Sequence, residues 1–211
     1  ITRMLVRDSG VNGMALREGA VDDAQMDAIL QSAGRLSELP VYFSDNSYVT
    51  VSTLRSRAMT MAQRHGIKML IVDYLQLMTG DGKSREQDVS EASRVCKLIA
   101  RELDIPVVVL AQLNRGVEMR DNKRPMMSDL RESGAIEQNA DAIMMLYRPE
   151  YYEKHEYGQN DPDSWQGQPT KNICEVSIVK NRDGQTGIVR QVFFMDRMRF
   201  DNRSSAVDAV L

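Results

Sequence analysis

An α/β sheet flanked by helices and extended by a C-terminal β-hairpin is the fold class that the sequence predicts. Three observations predict it. Residues 67–72 and 107–111 are short, nearly continuous apolar runs, as expected for buried parallel strands. Between them, Val89, Ala92, Cys96, Ile99 and Leu103 fall on one face at helical spacing. At the end of the chain, residues 173–179 and 188–194 are β-like and flank Asn181-Arg182-Asp183-Gly184, where Asp-Gly signals a hairpin turn.

Each element follows from local chemistry. Residues 1–37 are polar and helical in flavour, broken at Ser9-Gly10 and Asn12-Gly13, with Val21-Asp22-Asp23 placed to cap the next helix. Pro40-Val41-Tyr42-Phe43 predicts a short strand. Residues 50–65 predict a helix ended by Gly66. Residues 67–72 predict a central strand covered on both faces and ending at Asp73. Ser84 and Gln87 have capping-box spacing for the helix that follows. Pro106 opens the strand at 107–111, residues 113–131 form a long polar loop, and residues 140–146 are a further strand. Residues 150–168, with five acids and one lysine, are a surface insertion not suited to DNA.

Composition bounds the function. The chain has 211 residues, enough for one domain or one with a small appendage. It is 42% hydrophobic and 27% charged, which excludes general disorder, collagen and a disulfide-stapled miniprotein. No apolar run is long enough to span a membrane. The net charge of -3 excludes a general polycation, so nucleic-acid contact requires a local patch. Cys96 and Cys174 lack zinc spacing and are expected as reduced, buried thiols of a cytoplasmic protein. Ile1 opens what reads as the middle of a helix, so the chain is expected to be the later part of something longer.

Four places carry chemistry. Asp73, at the carboxyl end of a strand, suits a Mg²⁺ beside a nucleotide phosphate, or equally caps a loop. Gln112 ends the next strand, where it could reach a γ-phosphate or simply begin a loop. The loop 113–131 carries Arg115, Arg120, Lys123, Arg124 and Arg131 against three acids. It has no aromatic residue, so it suits backbone contact better than base readout, or is merely a solvated loop. Lys180 and Arg182 share one strand face at the hairpin tip, suiting a phosphate on a neighbouring subunit or only keeping a turn soluble.

Four strings occur in order. They are Ile71-Val72-Asp73-Tyr74-Leu75-Gln76-Leu77-Met78, Ala111-Gln112-Leu113-Asn114-Arg115, Ser128-Asp129-Leu130-Arg131-Glu132-Ser133-Gly134-Ala135-Ile136-Glu137-Gln138 and Val179-Lys180-Asn181-Arg182-Asp183-Gly184. Together they resemble the C-terminal motor domain of the bacterial replicative DNA helicase, the DnaB family, through nearly the whole chain. The resemblance implies a RecA-like fold over 1–211, a homohexameric ring, ATP bound between subunits and single-stranded DNA in the channel. It implies ATP-driven 5′→3′ translocation and unwinding, with primase and a helicase loader as partners. By the same resemblance, Asp73 is the Walker B residue for Mg²⁺ and Gln112 senses the γ-phosphate. Lys180 and Arg182 are a finger pair acting on the neighbour's ATP. Arg131, Glu132 and Gly134 match the DNA-gripping loop, Arg115 is expected to bind DNA with them, and Arg148 resembles a residue packing on the nucleotide base.

One family feature does not occur in these residues. G-x-x-x-x-G-K-[ST], whose amides cradle phosphates, is absent: the sole Gly-Lys is Gly82-Lys83, and the position five before Gly82 is Leu77. Residues 1–211 alone are therefore expected not to hydrolyse ATP. Two other readings stand beside the helicase: another RecA-type ATPase, or a non-catalytic module that binds DNA or a helicase ring.

Overall fold

The computed structural model describes residues 1–45, 49–80, 84–130, 134–153 and 171–202. They divide into two compact units. The described residues of the first lie within Ile1–Phe43, Leu146–Val176 and Ile188–Leu211; those of the second lie within Ser44–Met145 and Ser177–Gly187.

The first unit opens with helices α1 (Thr2–Ser9), α2 (Gly13–Glu18) and α3 (Asp23–Ser37). The predicted breaks are real. Gly10 ends α1 at φ 72°, a left-handed conformation that glycine adopts without a Cβ penalty, and its N–H donates to the Val6 carbonyl. The Asn12 side chain accepts from the Met14 and Ala15 amides to start α2. Asp22 starts α3 through a reciprocal capping box with Gln25. Arg35 ties α3 back to Asp8 of α1 at 2.7 Å. The expected strand at Pro40–Phe43 does not form. Among the described residues the segment has no strand pairing with it, and Val41 and Phe43 remain exposed.

The rest of this unit is α7 (Pro149–Glu153) and the outer part of a sheet. Pro149 suits the first helical position, where no N–H is needed. The expected insertion 150–168 thus begins as helix, and its remainder lies outside the described residues. The sheet has four strands in the order β3 (Ala142–Tyr147), β4 (Ile173–Asn181), β5 (Gly187–Phe194) and β6 (Arg199–Asn202). The sequence predicts no strand at β6. It pairs antiparallel with β5, Phe193 opposite Phe200, with ring centroids 4.5 Å apart. Glu175 is buried and satisfied by Arg190 at 3.0 Å.

The second unit holds the larger core. Helices α4 (Val51–His65) and α5 (Arg85–Leu103) pack together and are pinned at the surface by a bidentate Arg55–Glu102 pair, 2.6 and 2.7 Å. Thr50 and Thr53 cap α4 reciprocally, and Gly66 ends it at φ 60°. Ser84 caps α5 by accepting from the Gln87 amide. Val89, Ala92, Cys96 and Ile99 line the buried face of α5, as their spacing predicts. Leu103 packs on that core partly buried.

Strands β1 (Leu70–Val72) and β2 (Val107–Val109) pair in parallel, Leu70 with Val107 and Val72 with Val109. The expectation that both faces are covered is corrected. Val72 is buried, but Met69, Ile71, Val108 and Leu110 are 51%, 61%, 45% and 44% exposed. Packing of the described residues covers one face of the pair and leaves the other open. In β3 the alternation is equally clear, with Ile143 and Met145 buried and Met144 exposed.

Candidate functional site

The parallel register sends the carboxyl ends of β1 and β2 to one edge. Asp73 follows β1 directly, exposed, and the Asp73–Tyr74 peptide is cis. Beyond the paired residues the Leu110 amide donates to the Val72 carbonyl, and the Leu75 amide to the Leu110 carbonyl, at 2.9 Å each. Gln112 comes two residues later, also exposed. The fold thus brings Asp73 and Gln112 to the same sheet edge, where α/β sheets bind ligands.

A residue that sequence reasoning missed holds Gln112 there. The Gln76 side chain donates to the Gln112 carbonyl and accepts from the Gln112 amide, both at 3.0 Å. An amide side chain carries one acceptor and one donor group, so it pairs with a peptide unit as a neighbouring strand would. The backbone of Gln112 is locked and its side chain is left to project. No local signal reveals this, because Gln76 and Gln112 are 36 residues apart.

The loop after Gln112 turns part of its basic charge inward. Two 3₁₀ turns, Arg115–Met119 and Met127–Leu130, give it shape. Asp129, 9% exposed, accepts from Arg120 at 2.8 Å and from the Met126 amide at 2.7 Å. Lys123 donates to the Glu118 and Arg120 carbonyls. Arg120 and Lys123 therefore turn donors into the loop, where Asp129 is a nearly buried carboxylate that needs one. Arg115 is exposed at the first 3₁₀ turn. Gly134 begins α6 (Gly134–Asn139), and a Cβ there would meet nothing within 4 Å. Arg131 and Glu132 lie outside the described residues.

Lys180 and Arg182 project together, as alternation along a strand requires. Lys180 Nζ donates to the Glu137 carbonyl. Arg182 donates to the Gln138 carbonyl at 3.2 Å and to Asp141 at 3.1 Å. Cations at a helix C-terminus meet carbonyls that no helical N–H satisfies. Asp141 also receives Lys97 of α5. Lys97 first, then Arg182 and Arg101, hold the Asp141 carboxyl below its ordinary range.

Arg148 belongs to the first unit. Its guanidinium carbon stands 4.9 Å from the Phe193 ring centroid, a cation–π contact, and Glu150 is 3.9 Å away. Its Nε is buried without a hydrogen-bond partner among the described residues. Cys96 and Cys174 are buried free thiols, as expected, and burial pushes Cys96 up to about 11. Among the described residues no group of three or more His, Cys, Asp or Glu could hold a metal ion, and no helix is long and apolar enough to cross a membrane.

Two parallel strands with a carboxylate and an amide at their carboxyl edge, helices beside them and an antiparallel extension fit a RecA-like core. Solved structures agree. The chain matches a DnaB-like replicative helicase, solved in a study of its interactions with primase, with a TM-score of 0.82 and 35% identity, covering 95% of this chain and 48% of that one. It matches the ATPase domain of G40P at 0.81 and 35% identity, covering 95% and 68%. The family model of the DnaB-like helicase C-terminal domain matches residues 1–202. The chain belongs to that family. It is 40% identical over 211 residues to the replicative DNA helicase DnaC of Bacillus subtilis, covering 99% of this chain and 44% of that protein. It is 42% identical to the replicative DNA helicase DnaB of Rickettsia bellii, covering 95% and 43%. The chain thus spans less than half the length of these relatives.

Proposed function

We propose that this chain is the motor portion of a hexameric replicative DNA helicase, coupling ATP hydrolysis to movement along single-stranded DNA and to duplex unwinding. The observation that carries the reading is the placement of Asp73 and Gln112 at one parallel sheet edge in a member of this family.

Asp73 fits Mg²⁺, and the phosphate cradle for ATP would come from a G-x-x-x-x-G-K-[ST] segment outside these residues. Mg²⁺ usually takes one or two carboxylates and completes its shell with water and phosphate oxygens, and Asp73 is an exposed carboxylate at that edge. The bound ion and triphosphate supply an activated γ-phosphoryl group for transfer to water. Asp73 orients the metal end of the site. Gln112, fixed through its backbone, reports the γ-phosphate and aligns water. Arg182 and Lys180 stabilise charge on a nucleotide held by the next subunit, and Arg148 packs on a base. Arg131, Glu132, Gly134 and Arg115 meet the DNA backbone. A homohexamer, primase, a helicase loader and a cytoplasmic setting belong to the same reading.

A mixing experiment tests it. Residues 1–211 alone should show no ATPase. Adding a fragment of the family that bears G-x-x-x-x-G-K-[ST] should restore ATPase and forked-duplex unwinding, both abolished by D73A. A mixture that binds DNA or the fragment without turnover would identify a non-catalytic module. Turnover without strand separation would identify another RecA-type ATPase.

A further inference from the structure

Arg182 is held in a way that leaves most of its hydrogen-bonding capacity unspent. One terminal nitrogen donates to Asp141 Oδ1 at 3.1 Å, and the other to the Gln138 carbonyl at 3.2 Å. The Arg182 backbone N–H donates to the Asp141 carbonyl at 2.8 Å. Asp141 therefore grips the hairpin tip twice, by its side chain and by its main chain. A guanidinium has five N–H donors in a rigid plane. Two are committed to this seat, and the side chain is 48% exposed. The exposed part opens on a cleft walled by Arg94, Lys97 and Arg101 of α5 and by Gln138 and Asn139.

Lys97 makes the seat work for an anion. Its Nζ donates to Asp141 Oδ1 at 2.6 Å, so one carboxylate faces two cations and the trio keeps a net positive charge. An unpaired carboxylate behind the arginine would repel an approaching phosphate. With Lys97 in place, that repulsion is cancelled before the phosphate arrives, and Arg182 need not leave Asp141 to bind it. A long side chain fixed beforehand loses less freedom when it engages its target.

We propose that Asp141, neutralised in advance by Lys97, is a positioning residue that presents the open edge of Arg182 to the phosphates of a nucleotide held by a neighbouring copy of the chain. This rests on the reading of Arg182 as a residue acting on the adjacent subunit's site.

Steady-state ATPase of residues 1–211 mixed with the family fragment that bears G-x-x-x-x-G-K-[ST] tests the proposal. R182A should lower kcat at least 100-fold. D141N should lower kcat about 10-fold with KM for ATP changed less than twofold, since geometry rather than ground-state binding is lost. D141E should recover part of that loss. K97M should lower kcat about threefold and raise KM, and K97R should restore both. In an R182A background, D141N should add nothing, because the seat has no occupant. An unchanged kcat in D141N, with R182A strongly impaired, overturns the seat and leaves the trans-acting reading intact. A D141N loss equally large in the R182A background shows that Asp141 only supports the fold, and overturns the seat too. Wild-type kcat in R182A overturns the trans-acting reading and the seat with it.

Discussion

Replacing Gln76 with alanine removes both hydrogen bonds that lock the Gln112 backbone, each 3.0 Å in the native chain. A neutral hydrogen bond contributes about 0.5–1.5 kcal/mol net, so the pair contributes about 1–3 kcal/mol. Gln112 is exposed, so water can satisfy its amide and carbonyl once Gln76 is gone. The lower part of that range therefore applies, about 1–1.5 kcal/mol. With a urea slope of about 2 kcal/mol/M, Q76A should lower the unfolding midpoint by about 0.5 M. The local signature is sharper. The Gln112 amide should exchange with solvent about 10-fold faster, since about 1.4 kcal/mol is one decade. Q76E is the informative control. It keeps an acceptor for the Gln112 amide but turns an oxygen toward the Gln112 carbonyl, so it should destabilise at least as much. Urea midpoints of both variants within 0.1 M of wild type, with Gln112 exchange unchanged, would refute the reasoning that a side-chain amide serves as the missing strand partner.

Other outcomes follow from the same geometry. Ile99→Ala empties a fully buried position on α5 and should cost about 2–5 kcal/mol, read by urea denaturation. D129N leaves Arg120 facing a neutral amide at a nearly buried site and should cost about 2–3 kcal/mol, with faster proteolytic cleavage between Gln112 and Leu130. The Asp141 carboxyl is held low by Lys97 first, so its contribution is complete above the ordinary carboxylate pKa and fades as pH falls through the lowered value. Because Asp141 is half exposed, that contribution is below about 1 kcal/mol, and the stability gap between wild type and D141N should narrow from pH 7 to pH 3. Cys96, with its thiol pushed up to about 11, should resist a thiol-specific reagent at pH 8 until the chain unfolds.

Local chemistry was legible in the residues, and contacts between distant segments were not. The caps at Asp22 and Ser84, the glycine stops at Gly10 and Gly66, and the buried face of α5 depend on neighbours a few positions away. Pro40–Phe43 misled because apolar content does not make a strand without a partner to pair with. The last strand, Arg199–Asn202, escaped notice because it is short and carries two charges in four residues. At the candidate site, strand ends pointed to Asp73 and Gln112, whereas Gln76 and the Lys97–Asp141 pair act across 36 and 44 residues. In the 113–131 loop, counting charges cannot tell a donor facing solvent from one facing a carbonyl, as Lys123 does.

The open face of the β1–β2 pair has a practical consequence for anyone handling this polypeptide. Ile71 and Val108 stand opposite each other on the two paired strands, with Met69 just before β1 and Leu110 just after β2, each at least 44% exposed. Oily side chains on a flat ribbon attract one another between molecules more strongly as concentration rises. In colloidal terms, isolated residues 1–211 should have a negative second virial coefficient, more negative in sulfate than in chloride, and moving toward zero when Ile71 and Val108 are replaced by threonine.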